Sequence, residues 1–244
     1  MRISTTETMA ENSLMPVMRL LEFTDSAFPV GAFSFSNGLE TAAGTGEVAG
    51  ADGLREFARD VLHRSAATDC VAALCAFRCS GSDDYEGVVE ADEQLWLSKL
   101  NTEARQMTVR MGRRAAELAD RILGGDDGWQ RMGPRWLGDI CAGRVRGTHP
   151  VTLAMVFAIC GLSERDLFCS LCYGALNTVL SAALRCVRVS HYDTQRILFE
   201  LSGETDALFD AAADAGLEDM CSFAPQTEIF ASLHEKGSSR MFMN

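Results

Sequence analysis

Apolar positions recur at steps of three and four along most of the chain, the spacing of helices that bury one face. The first such segment runs from Leu14 to Phe23. Pro29 fixes its own φ and pushes Phe28 out of helical geometry, so this helix should end near Ser26. Leu54, Phe57, Ala58, Val61 and Leu62 mark one face of a second. A third is predicted from about Ala67 to Cys79, closed by Gly81, with Asp83 or Asp84 restarting the chain. The longest periodic stretch, Ala91 to Leu123, predicts one long helix with an interior stripe of Leu100, Ala104, Met107, Met111, Ala115, Leu118 and Ile122. Pro150 fits the first turn of a helix that Gly161 ends, and Ser163 with Asp166 can cap the next. That next helix, Leu167 to about Val189, has no charge between Leu167 and Leu184. Its length is at the lower limit for crossing a bilayer. Internal Asn177, Ser170, Thr178 and Ser181, and many small residues, favour a buried central helix over a membrane span. After an interruption at 190–195, Ile197, Leu198, Leu201, Leu208 and Phe209 predict a helix to about Ala215.

Between these segments lie two informative breaks. Gly31 and Gly38 bracket a bend in which Phe33 and Phe35 alternate with Ser34 and Ser36. Asn37 is placed as a helix N-cap and Glu40 as its capping-box partner, so a helix should restart at Gly38. Gly124, Gly125, Gly128, Gly133 and Pro134 make 124–147 a glycine-rich flexible insertion, with a short helix over 134–141 at most. The division is a flexible N-terminal tail over 1–13, a helical domain over 14–216 and an arm over 217–244. The arm, with Phe223, Ile229, Phe230, Leu233, Met241 and Phe242, is too apolar to float freely, so it should dock on its own domain or on a partner. No stretch alternates long enough for a β-strand. The prediction is an all-α, single-domain bundle of about 8–10 helices with an extended C-terminal arm.

Composition narrows the chemistry. With 244 residues, 47% of them hydrophobic, the chain can bury a substantial core. A formal net charge of −12 argues against binding a nucleic-acid backbone. The first thirteen residues lack the cationic start and apolar run of a secretion signal. The nine cysteines are scattered, odd in number and set in apolar helical stretches, so they read as reduced core thiols of a cytoplasmic protein.

Motifs for catalysis are missing. The run Gly124-Gly-Asp-Asp-Gly128 lacks the lysine and the strand-before-helix context of a P-loop. Cys169-Ser-Leu-Cys172 has metal-pair spacing but lies in an apolar helix with no second pair, and zinc needs four convergent ligands. His63, His149, His191 and His234 show no paired spacing. No nucleophile–base set can be assigned from spacing. The residues alone point to an acidic helical interaction module rather than an enzyme, the rivals being a helical enzyme of unknown chemistry and a membrane-associated protein.

Leu20-Leu-Glu-Phe-Thr-Asp-Ser-Ala-Phe-Pro-Val-Gly-Ala-Phe-Ser-Phe-Ser-Asn-Gly-Leu-Glu40 resembles the N-terminal signature of the UreF family of urease accessory proteins. Glu103-Ala-Arg-Gln-Met-Thr-Val-Arg-Met-Gly112 is similar to a second family segment, with Thr108 in place of the usual serine. Further similarity lies at His149-Pro150, at Asn177 to Arg185, and in the closing stretch Phe223 to Phe242. At 190–195 the chain departs from the family's glycine-containing loop, keeping an acid and the final Gln.

The resemblance implies an all-helical, non-enzymatic, dimeric urease maturation protein. It would bind UreD (also called UreH) and recruit the GTPase UreG to load nickel into apo-urease, with Ni²⁺ handled in transit and no cofactor stably bound. Its partner-binding residues would be Pro29, Gly31, Phe33, Ser36, Gly38 and Glu40 of the first signature and Glu103 and Arg105 of the second. His234, Glu235, Ser239, Arg240 and Phe242 of the closing segment complete the set.

Overall fold

A computed structural model describes residues 13–31, 35–221, 224–235 and 241–242. Among them the chain is all helical. α1 (Met15–Thr24), α2 (Leu39–Gly44) and α3 (Gly50–Ser65) come first. A π-helical turn, Ala66–Cys70, carries α3 without a break into α4 (Val71–Gly81). There follow α5 (Tyr85–Ser98), α6 (Thr102–Leu123), α7 (Asp127–Cys141), α8 (His149–Ile159) and α9 (Glu164–Cys186). The last are α10 (His191–Ser202), α11 (Thr205–Ala212), a 3-10 turn at Leu217–Asp219 and α12 (Pro225–His234).

Two predicted helices are each divided. The 91–123 segment breaks at Lys99–Asn101, where the Asn101 carboxamide accepts the N–H of Ala104 at 2.7 Å and caps α6. The predicted stripe on α6 is also offset. Its buried positions are Ala104, Thr108, Gly112, Ala115, Ala116, Ala119 and Leu123, whereas Leu100 and Ile122 are exposed. Small residues are needed there because α6 lies directly on the segment entering α8: a Cβ at Gly112 would stand 2.0 Å from the Gly147 carbonyl. The second division falls at Gly203, between α10 and α11.

The 124–147 stretch is corrected most. Instead of a glycine-rich insertion with a short helix from Pro134, it carries α7, capped by Asp126 and anchored by two fully buried tryptophans. Trp129 Nε1 donates to Asp120 and Trp136 Nε1 to Thr152. Gly133 is a packing glycine, since a Cβ there would meet the Trp129 ring at 2.1 Å.

α8 and α9 form the centre. α8 is flanked by α4 and α6, and α9 packs across α2 and α3. The Ser163 and Asp166 capping box starts α9 as predicted. α9 is not apolar-packed on all sides: Leu167, Phe168, Leu176, Val179 and Ala183 face the core, while Tyr173 and Gly174 reach the surface. Among the described residues it alone is long and apolar enough to cross a membrane. At 190–195, Ser190 and Asp193 build a second capping box, so the residues that differ from the family loop still start a helix.

Candidate partner-docking site

Within the closing segment Pro225–His234 forms α12, which lies against α2, α3 and α6 of the same chain. Gly38 explains the close approach on α2. It holds φ at 84°, and a Cβ there would stand 2.8 Å from the Ala231 nitrogen and 3.0 Å from the Thr227 carbonyl. Gly38 rather than Asn37 is the residue preceding α2, and the Asn37 side chain does not cap that helix.

Glu40 is thereby released from the predicted capping box for another use. His234 is 3% exposed, with Nε2 2.9 Å from Glu40 Oε2 and Nδ1 3.0 Å from Glu103 Oε2. A neutral imidazole has one N–H, so both contacts are N–H donations only when the ring carries both protons. Glu40 also accepts the backbone N–H groups of Met241 at 2.8 Å and Phe242 at 3.1 Å. Burial alone would raise the Glu40 carboxyl; the Met241 N–H, His234 and the Phe242 N–H together hold it below the usual carboxylate range. Glu235 accepts the N–H of Glu103 at 3.1 Å. Phe242 is buried, with the Arg185 guanidinium 5.3 Å from its ring centroid.

A second anchor was not singled out from sequence. Glu228, in the first turn of α12, is buried between Arg64 and the Asn101 carboxamide, which donates to it at 2.9 Å. Sequence shows only an acid near a helix start, which the helix dipole explains as well.

Gly38, Glu40, Glu103, His234, Glu235 and Phe242 therefore come together as one clamp, joining stretches about 200 residues apart. Ser36 is fully buried, its hydroxyl accepting the N–H of Glu40 at 3.5 Å. Arg105 points elsewhere: it donates to the Lys99 carbonyl at 2.7 Å and stacks on Trp96. Pro29 and Gly31 are exposed on a separate groove. Phe33, Ser239 and Arg240 lie outside the described residues.

Beside the clamp a cavity of about 200 Å³ is bounded by Phe28, Met107, Thr108, His149, Asn177 and Glu228. The His149 backbone N–H donates to Thr108, and among the described residues its ring has no hydrogen-bond partner. Burial lowers its pKa to about 4, against the opposing pull of Asp69. No group of three or more histidine, cysteine, aspartate or glutamate side chains is arranged to hold a metal among the described residues. In the clamp the two imidazole nitrogens point to different carboxylates, so its donors diverge.

Comparison with known proteins agrees with the motifs. The UreF family model matches residues 48–202. The chain is 44% identical over 232 residues to urease accessory protein UreF 1 of Brucella melitensis biotype 1, covering 95% of this chain and 94% of that protein. It is 38% identical over 228 residues to urease accessory protein UreF of Yersinia enterocolitica, covering 93% and 98%. For urease accessory protein UreF of Photorhabdus laumondii the identity is 37% over 228 residues, with the same two coverages. With its clamp built from the two signatures and the closing segment, the chain belongs to the UreF family.

Proposed function

We propose that this chain is a non-catalytic scaffold of urease maturation. In this reading it acts in the cytoplasm as a homodimer, binds UreD, and recruits the GTPase UreG so that nickel passes into apo-urease. Nickel is then cargo carried by the assembled complex rather than a resident cofactor. The carrying observation is the convergence of the family-like segments on one clamp, whose contacts seat α12 and the residues that follow it. Such an arrangement presents a preorganised surface, so association costs less ordering than a free arm would.

The test is the mass, by light scattering on a sizing column, of the full chain alone and after co-expression with UreD and UreG of its own organism. A dimer that enters a larger UreD-containing complex is the expected result, and indifference to UreD would overturn the reading. Within that complex Arg240 is proposed to modulate GTP hydrolysis, as an arginine supplied in trans can. Arg240→Ala should then change the UreG hydrolysis rate at least tenfold in the complex, and an unchanged rate would remove that role.

A further inference from the structure

The groove between the first signature and α6 carries a charge opposite to that of the molecule. It has a volume of about 470 Å³, within the range of about 300–1,000 Å³ at which concave sites bury a ligand. Its apolar lining is Val30, Phe35 and Met111, and Pro29 and Gly31 form one lip. Gly31 has φ of 88°, and among the described residues a Cβ there would meet nothing within 4 Å. Arg110, Arg113 and Arg114 form the other, at the i, i+3 and i+4 positions of one helix face, with Glu117 next on the stripe.

Arg113 and Arg114 share the single carboxylate of Glu117, at 3.1 and 2.9 Å, while 54% and 62% of their side chains stay exposed. One carboxylate cannot neutralise two guanidinium groups, so the lip keeps positive charge in a chain of net charge −12. Helix energetics do not select this arrangement. An i,i+4 ion pair contributes about 0.2–0.5 kcal/mol, and like charges at the same spacing oppose it by a similar amount.

We propose that this groove is a docking site for an acidic segment of a partner protein, one that presents an apolar side chain flanked by carboxylates. The apolar side chain enters over Val30, Phe35 and Met111, and the carboxylates pair with Arg113 and Arg114 in the bidentate geometry guanidinium favours. A second copy is a poor occupant, because a two-fold dimer placing the groove on itself would set arginines against arginines. Long polyanions are repelled by the rest of the surface.

The test is fluorescence anisotropy with a labelled peptide of alternating glutamate and leucine, titrated with the full chain. Its lysine–leucine counterpart and a single-stranded DNA oligomer are the controls. The glutamate peptide should bind, at least tenfold more weakly to R113E/R114E and less than twofold more weakly to R121E/R188E, which changes charge equally elsewhere. R113Q/R114Q, which adds no acid to the helix, should give an intermediate loss and guards against misfolding of the reversal. The proposal is overturned if the glutamate peptide fails to bind the wild type, if R113E/R114E binds it equally well, or if the lysine peptide or DNA binds as tightly.

Discussion

At Glu40 three donors from the chain's last described residues meet one carboxylate of its first signature. Removing the charge while keeping the shape sets a carboxamide NH2 against donors, so Glu40→Gln should cost about 3 kcal/mol in a urea melt at pH 7. The Glu40 pKa is lowered on folding from an ordinary value of about 4.5. Its contribution is therefore complete above that value and lost as pH falls through the lowered one, and Glu40→Gln should flatten this acid limb. His149 shares the preference for the deprotonated form but titrates in a different window. Its pKa falls from 6.5 to about 4 in the folded chain, so protonation of the unfolded chain drains stability as pH drops from 6.5 towards 4. That loss is about 3 kcal/mol, and in His149→Gln the stability difference between pH 7 and pH 4.5 should shrink accordingly. The partner set of Glu40 was not legible in the sequence. Glu40 satisfies a local capping rule, and nothing within four residues of it signals that His234 will arrive instead.

Helices were legible wherever periodicity and caps agreed. Ser163 with Asp166 starts α9 in the predicted place, and Pro150 lies in the first turn of α8. Legibility ended where one stretch carried two meanings. Apolar residues continue across Lys99–Asn101, so periodicity alone cannot see the break that the Asn101 cap imposes. In α7 the glycines read as breakers, but Gly133 makes room for Trp129, and burial of two tryptophans outweighs about 1 kcal/mol of helix propensity per glycine. Asp92 on α5 was also invisible as an anchor. It is 1% exposed and accepts the N–H groups of Arg146, Gly147 and Thr148 and the Thr148 hydroxyl, all within 2.8 Å, fixing the approach to α8. Burial pushes its carboxyl up and these donors pull it part of the way back. Asp92→Ala strands four buried or half-buried donors, so a loss of about 3 kcal/mol in a urea melt is expected.

For the whole molecule the clamp ties the chain's last described residues to its first signature. α12 reaches α2, α3 and α6 through Gly38, Glu228 and the His234 pair, so its docked position depends on elements drawn from across the chain. Losing the imidazole removes the one side chain that contacts both Glu40 and Glu103, and the loss falls on the helix that precedes the chain's last described residues. His234→Ala should thus free α12 locally, raising amide exchange over 225–235 at least a hundredfold while the α8–α9 core stays protected. If the docked arm is the surface that UreD holds, the same variant should lose at least tenfold in UreD affinity. General instability alone would give a similar loss, and Asp92→Ala separates the two. It weakens a site on α5 that makes no clamp contact, so in a urea melt it should lose at least as much stability as His234→Ala yet at 10 °C still bind UreD within twofold of wild type. Equal loss of UreD by both variants would assign the effect to the fold, whereas loss confined to His234→Ala would assign it to the docked arm.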